Sequence, residues 1–174
     1  MDIQTLKGRA VVAVHDGQRL GHVTDVLLSP GERRVVRLQV RSGRLLSGRT
    51  LQVDMESVTS IGPDAVMVPS RDSVRVETEP APRDLLSLKD LTSLRVVSDQ
   101  GRLLGTVCDA VFETPSGRLQ SVKIAQAGLS GILGRRRSIP IDCVVSIGRD
   151  VMIVPESAVQ EDVSSAPEHE PPSP

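Results

Sequence analysis

The chain carries one folding plan twice. The stretch Gly17-Gln18-Arg19-Leu20-Gly21-His22-Val23-Thr24-Asp25-Val26 returns as Gly101-Arg102-Leu103-Leu104-Gly105-Thr106-Val107-Cys108-Asp109-Ala110. Ser60-Ile61-Gly62-Pro63-Asp64-Ala65-Val66-Met67-Val68-Pro69 returns as Ser146-Ile147-Gly148-Arg149-Asp150-Val151-Met152-Ile153-Val154-Pro155. The first pair is offset by 84 residues, Gly21 to Gly105, and the second by 86, Gly62 to Gly148. Both ends of the unit recur in order, so the repeated object is a whole domain. Each copy is about 75 residues, a size at which one core is only marginally stable alone. Two copies that pack on each other within the chain are therefore expected, as an internal version of a homodimer contact.

Each copy reads as short strands. Arg9–Val14 is rich in β-branched residues, Asp16-Gly17-Gln18 is a turn, and Leu20–Leu28 is a second strand. Val35-Val36-Arg37-Leu38-Gln39-Val40 alternates as a half-buried strand should. Leu51-Gln52-Val53 and Ala65–Val68 complete the first copy, and Val74–Glu77 extends its sheet. The second copy places strands at Leu94–Val97, Leu104–Phe112, Leu119–Ala125, Ser138–Ile141 and Val151–Val154. Asp54 is expected to cap a helical turn through Val58, and Asp142 to repeat that cap. Turns at this spacing predict an all-β fold of two tandem small closed β-barrels, since closure removes exposed edges. The expected domains are 1–79 and 84–157, joined by Glu79-Pro80-Ala81-Pro82-Arg83. Residues 158–174 hold four acids, no Lys or Arg and several prolines, and are expected to form a disordered acidic tail.

Charge and composition exclude several roles. Net charge is −1, and without the four tail acids the rest is about +3, too weakly basic to imply nucleic acid. One Phe and no Tyr or Trp leave nothing for bases to stack on. No apolar run approaches a membrane span, the first residues do not read as a secretory leader, and two cysteines make no disulfide framework. A cytoplasmic location is expected.

The residues resemble the PRC-barrel family across most of the chain, in two tandem copies. The markers are an early Leu (Leu6, Leu91), the turn into Gly-x-Val-x-Asp (Gly21 to Asp25, Gly105 to Asp109) and Ile139-Pro140-Ile141-Asp142. Gly128-Leu129-Ser130-Gly131-Ile132-Leu133-Gly134 looks like the family's glycine-rich loop. The first copy departs from the pattern, with a shorter loop and Leu51-Gln52-Val53-Asp54 lacking the proline. The family includes domains of a photosynthetic reaction-centre subunit and of a ribosome-maturation factor. The resemblance implies a β-barrel that works by contacting other proteins.

No constellation supports catalysis. Asp25 and Asp109 recur; they read as strand residues near a bulge or turn, bonded to backbone, rather than as a cation or proton site. His15, His22 and His169 form no set. Cys108 and Cys143 fall where the first copy has Thr24 and Met55, and no metal or cofactor is expected. The Gly128–Gly134 loop lacks the Lys-Ser/Thr of a phosphate loop. What remains is Leu129, Ile132 and Leu133 followed by Arg135, Arg136 and Arg137, with a first-copy parallel at Leu45-Leu46 beside Arg41, Arg44 and Arg49. Either the leucines cover a barrel end and the arginines are solvated, or the loop docks on a partner or on anionic lipid. The partner reading nominates Leu129, Ile132, Leu133, Arg135, Arg136, Arg137, Arg41 and Arg44. The leading expectation is a non-enzymatic adaptor or scaffold with a protein partner. The alternatives are a ribosome-associated maturation factor, which would touch nucleic acid only through the ribosome, and a membrane-peripheral accessory of a photosynthetic or other membrane complex.

Overall fold

The computed structural model describes residues 1–43, 49–78, 80–126 and 136–159. The fold is all-β, two tandem small barrels, with one short helix among the described residues. The first half holds β1 (Ala10–Ala13), β2 (Arg19–Ser29), β3 (Arg34–Arg41), β4 (Thr50–Asp54), β5 (Ser60–Ile61), β6 (Ala65–Val68) and β7 (Val74–Val76). The second holds β8 (Leu86–Ser87), α1 (Leu88–Ser93), β9 (Arg95–Ser98), β10 (Leu103–Phe112), β11 (Leu119–Ala125), β12 (Arg136–Pro140), β13 (Ser146–Ile147) and β14 (Val151–Val154). The strand orders match: β5-β6-β1-β2-β3-β4-β7 in one half and β13-β14-β9-β10-β11-β12 in the other. In both, the short strand before the longest one pairs in parallel with a late strand, β1 with β6 and β9 with β14. Among the described residues neither ladder closes into a ring; each runs as an open path.

The repeated Gly-x-Val-x-Asp motif is a bulge. Val23 pairs with Val40 and Asp25 with Gln39, so Thr24 is the extra residue. Val107 pairs with Ile124 and Asp109 with Lys123, so Cys108 is the extra residue. The glycine that precedes each bulge is required by close approach. A Cβ on Gly21 would collide with the Arg41 carbonyl, and one on Gly105, at φ +151, with that of Ala125.

The two halves exchange their leading segments. β8 pairs with β2, Leu27 to Ser87 and Leu28 to Leu86. In return Asp2 bridges to Val111, and Met1 and Phe112 exchange backbone bonds of 2.7 and 2.9 Å. The β2–β3 and β10–β11 hairpin tips also meet. Val35 N–H donates to the Gly117 carbonyl at 2.8 Å, and Leu119 N–H to that of Arg33 at 2.9 Å. Gly117, at φ +75, sits where a Cβ would lie 2.5 Å from the Val35 oxygen and 3.0 Å from Met55 Cγ. One contiguous apolar cluster takes in both halves, from Ile3, Leu6 and Leu38 to Leu91, Phe112 and Met152. Burial that each unit lacks alone is supplied by the other.

Three sequence expectations need correction. Asp54 precedes a 3-10 turn, Met55–Ser57, but its side chain makes no cap bond. It accepts instead from Arg37 Nε at 3.2 Å and pairs with Arg75 at 3.5 Å. Two guanidiniums outcompete a backbone N–H of so short a turn. Asp142 does not cap either; Pro140 holds the cap position of the turn Ile141–Cys143, and Asp142 lies inside it. The reason is register: Arg37 opposes Asp54, and its repeat counterpart Ser121 opposes Pro140. Pro140 is therefore the equivalent of Asp54, and Cys143 stands where the first half has Ser57, not Met55. The helix α1 was not legible as such; a capping box between Ser87 and Asp90 starts it. The expected tail lies outside the described residues from 160 onward, and its first two positions belong to the 3-10 turn Glu156–Val159.

Candidate functional site

Of the nominated contact residues, Leu129, Ile132, Leu133, Arg135 and Arg44 lie outside the described residues. Arg41, Arg136 and Arg137 are placed. Arg41 ends β3 opposite Thr50, and Arg136 begins β12 opposite Ala125. These are matching hairpin ends of the two halves. They are not brought together. Arg34 and Leu119 sit at the junction of the hairpin tips, and at 3.3 Å per residue Arg41 and Ala125 each lie about 20 Å farther out along their strands. The two basic ends point away from the junction.

Around Arg41 the fold gathers more than the sequence indicated. A groove of about 440 Å³ is lined by Arg19, Leu20, Arg49, Leu51, Arg71 and Val76, among others. A second hollow beside it brings Arg41 and His22 next to Arg19 and Leu20. Arg19 and Leu20 open β2, Arg49 leads into β4, and Arg71 lies in the 3-10 turn before β7. Arg19, Arg41, Arg49 and Arg71 are all exposed. Among the described residues, none of the four has a carboxylate within ion-pairing distance, although the exposed Asp72 shares the rim. Val76 is 50% exposed. Half-buried Leu20, Leu51 and Val74 beside exposed guanidiniums suit an acidic partner with an apolar anchor. Sequence reasoning found Arg41 and Arg49 but missed Arg19 and Arg71, which join them only through strand pairing.

The repeated acids are structural. Asp25 Oδ1 accepts from Val26 N–H at 2.8 Å and from Leu88 N–H of α1 at 3.1 Å. Asp109 Oδ1 accepts from Ala110 N–H at 2.8 Å and from Gln4 N–H at 3.3 Å. Each acid thus fills the gap its own bulge opens and holds the leading segment of the other half. Asp90 is kept below the ordinary carboxylate value by the hydroxyl and backbone N–H of Ser87. Lys123 is held above its ordinary value by the Asp2 carboxylate at 2.7 Å, another tie between halves.

Cys108 is half-buried and Cys143 exposed, both as free thiols. Among the described residues no group of three His, Cys, Asp or Glu is placed to hold a metal ion. No helix among them is long and apolar enough to cross a membrane.

A family model for the PRC-barrel domain matches residues 1–75 and again residues 83–161. No curated protein matches the chain.

Proposed function

The chain belongs to the PRC-barrel domain family, and from that premise we propose that it is a non-enzymatic adaptor, holding an acidic protein partner on the outer end of its first barrel. The observation that carries this is the groove where Arg19, Arg49 and Arg71 stand beside Leu20, Leu51, Val74 and the half-exposed Val76, with Arg41 in the hollow that adjoins it at Arg19 and Leu20. Among the described residues none of these guanidiniums is in an ion pair, and four of them against Asp72 leave a positive field that speeds encounter with an acidic segment. The apolar floor supplies the anchor that slows its departure. Catalysis would need a nucleophile, acid–base pair or metal set converging in one hollow; Ser42 and Asp72 line this groove and His22 the hollow beside it, but among the described residues no hydrogen bond joins them, and the Ser42 hydroxyl donates to the Arg49 carbonyl.

The test is capture of partners from the native host by wild-type protein and by an Arg41→Glu/Arg49→Glu variant with an unchanged melting temperature. Saturable capture of one acidic protein, lost in the variant and weakened by salt, supports the adaptor reading. Co-sedimentation with a ribosomal subunit, or binding to anionic but not neutral vesicles with no protein captured, would replace it. Equal capture by both proteins would refute the groove.

A further inference from the structure

The two halves differ at one edge. In the first, β7 covers β4, pairing Leu51 with Val76, Gln52 with Arg75 and Val53 with Val74. The pairing continues to Glu77, whose N–H donates to the Thr50 carbonyl at 3.0 Å. By antiparallel alternation, Thr50 and Gln52 turn their backbone groups towards β7. The second-half counterpart of β4 is β12. Among the described residues β12 pairs with β11 alone. The shared ladder register makes Arg136 equivalent to Thr50, Ser138 to Gln52, Ile139 to Val53 and Pro140 to Asp54. Arg136 and Ser138 therefore present their N–H and C=O groups outward. Both residues are exposed, whereas Thr50 and Gln52 beneath β7 are only half so.

We propose that the outer edge of β12 is a strand-addition site for an extended segment of a partner protein. An open edge with unpaired backbone groups is a ready template for one more strand. The first half shows what such a strand looks like, because β7 occupies the matching place. It puts valine opposite the buried Val53 and an acid, Glu77, at the level of Thr50. The equivalents in the second half are the buried Ile139 and the cationic Arg136. The incoming segment thus carries an apolar residue opposite Ile139 and, three positions on, an acid opposite Arg136. Pro140, which has no N–H, ends the site on one side. The chain's own residues at the repeat-equivalent positions, 160–163, read Gln-Glu-Asp-Val. In the repeat register Gln160 would face Ile139 and Val163 would face Arg136, the apolar residue and the acids standing at the wrong positions, which argues for a separate chain as occupant. The site is distinct from the groove of the first half, so either can fail without the other.

The probe is the capped peptide Ser-Val-Arg-Val-Glu-Thr, the sequence of residues 73–78, titrated into the full-length protein. Backbone amide shifts and hydrogen exchange are followed by NMR. Saturable shifts and slowed exchange at Arg136 and Ser138 are expected. A peptide N-methylated at its second Val-flanking amides, those of the Arg and Glu positions, is expected to bind at least about tenfold more weakly, since edge hydrogen bonds are removed. Ser138→Pro is expected to abolish binding while leaving the melting temperature near wild type, because the lost N–H faces solvent. Replacing the peptide Glu by Lys should weaken binding several-fold, and Arg136→Glu should restore it. The inference is overturned by equal binding of the N-methylated peptide or by peptide shifts confined to the Arg19–Arg71 groove. It is overturned equally by slow exchange at Arg136 and Ser138 in the free chain, meaning that the chain covers its own edge. A dimer that Ser138→Pro dissolves would assign the edge to a second copy instead.

Discussion

Arg33 is the residue whose removal most directly tests how the halves hold together. It sits at the β2–β3 hairpin tip with φ 51, a left-handed conformation unusual for a side chain of its size. Its guanidinium crosses to the second half and donates to the carbonyls of Ile141 at 3.0 Å and Val144 at 2.8 Å, with a longer contact to Val145 at 3.4 Å. These carbonyls belong to a 3-10 turn and the residues just after it, where the backbone cannot satisfy them all itself. A hydrogen bond to a charged group contributes roughly 1.5–3 kcal/mol. Arg33 is half-buried, so solvent screening and the cost of fixing a long side chain reduce two such bonds to about 2–3 kcal/mol together. For a chain of this length that corresponds to a fall in Tm of about 5–10 °C for Arg33→Ala. Arg33→Lys keeps the charge but not the fork, and should fall between the two. Differential scanning calorimetry is the assay. Because one apolar cluster spans both halves, the wild-type and both variants should melt in a single transition. A change under about 1 °C for Arg33→Ala, or two resolved transitions in the wild type, would refute the reasoning: the first by showing the bonds are not made, the second by showing the halves are independent.

The reciprocal acids offer a second test. Asp25→Ala leaves the N–H groups of Val26 and Leu88 without their acceptor and should cost about 2 kcal/mol, while Asp109→Ala, with its longer bond to Gln4, should cost about 1 kcal/mol; urea denaturation of both variants gives the order, and a larger loss at Asp109 would contradict it. The third concerns acid. A carboxyl held below its ordinary value, as Asp90 is by Ser87, adds stability that is present above its unfolded value and is lost as pH falls through its folded value, so below about pH 4. Ser87→Ala should therefore flatten the acid limb of the stability profile there while reducing stability at neutral pH; parallel profiles for variant and wild type would show that the capping box does not contribute.

The repeat determined a great deal. It required two similar units, and β-branched runs bounded by turn residues, with alternation at Val35–Val40, placed most strands within a residue or two, because these signals are local and leave their mark on the sequence. The recurrence of Gly21 and Gly105 marked the same spot in both units, but the carbonyls of Arg41 and Ala125 that forbid a side chain there arrive only with strand pairing. The tertiary structure decided what depends on register between distant segments. The sequence of Leu86-Ser87 contains nothing that says it will pair with β2 of the other half rather than its own. Asp54 and Asp142 look equivalent by eye, since both follow a short extended run, yet strand pairing makes Pro140 the true counterpart and hands Asp54 to two arginines. Arg41 and Arg136 share a basic, loop-flanking context, and only the meeting of the hairpin tips sends them to opposite ends of the molecule. Arg19 and Arg71, 52 residues apart in sequence, become neighbours of Arg41 and Arg49 through the β1–β2–β3–β4–β7 ladder. Periodicity records which face of a strand is buried. It does not record which strand lies beside it, because backbone hydrogen bonds are the same for every residue and the choice among partners is made by the packing of the whole.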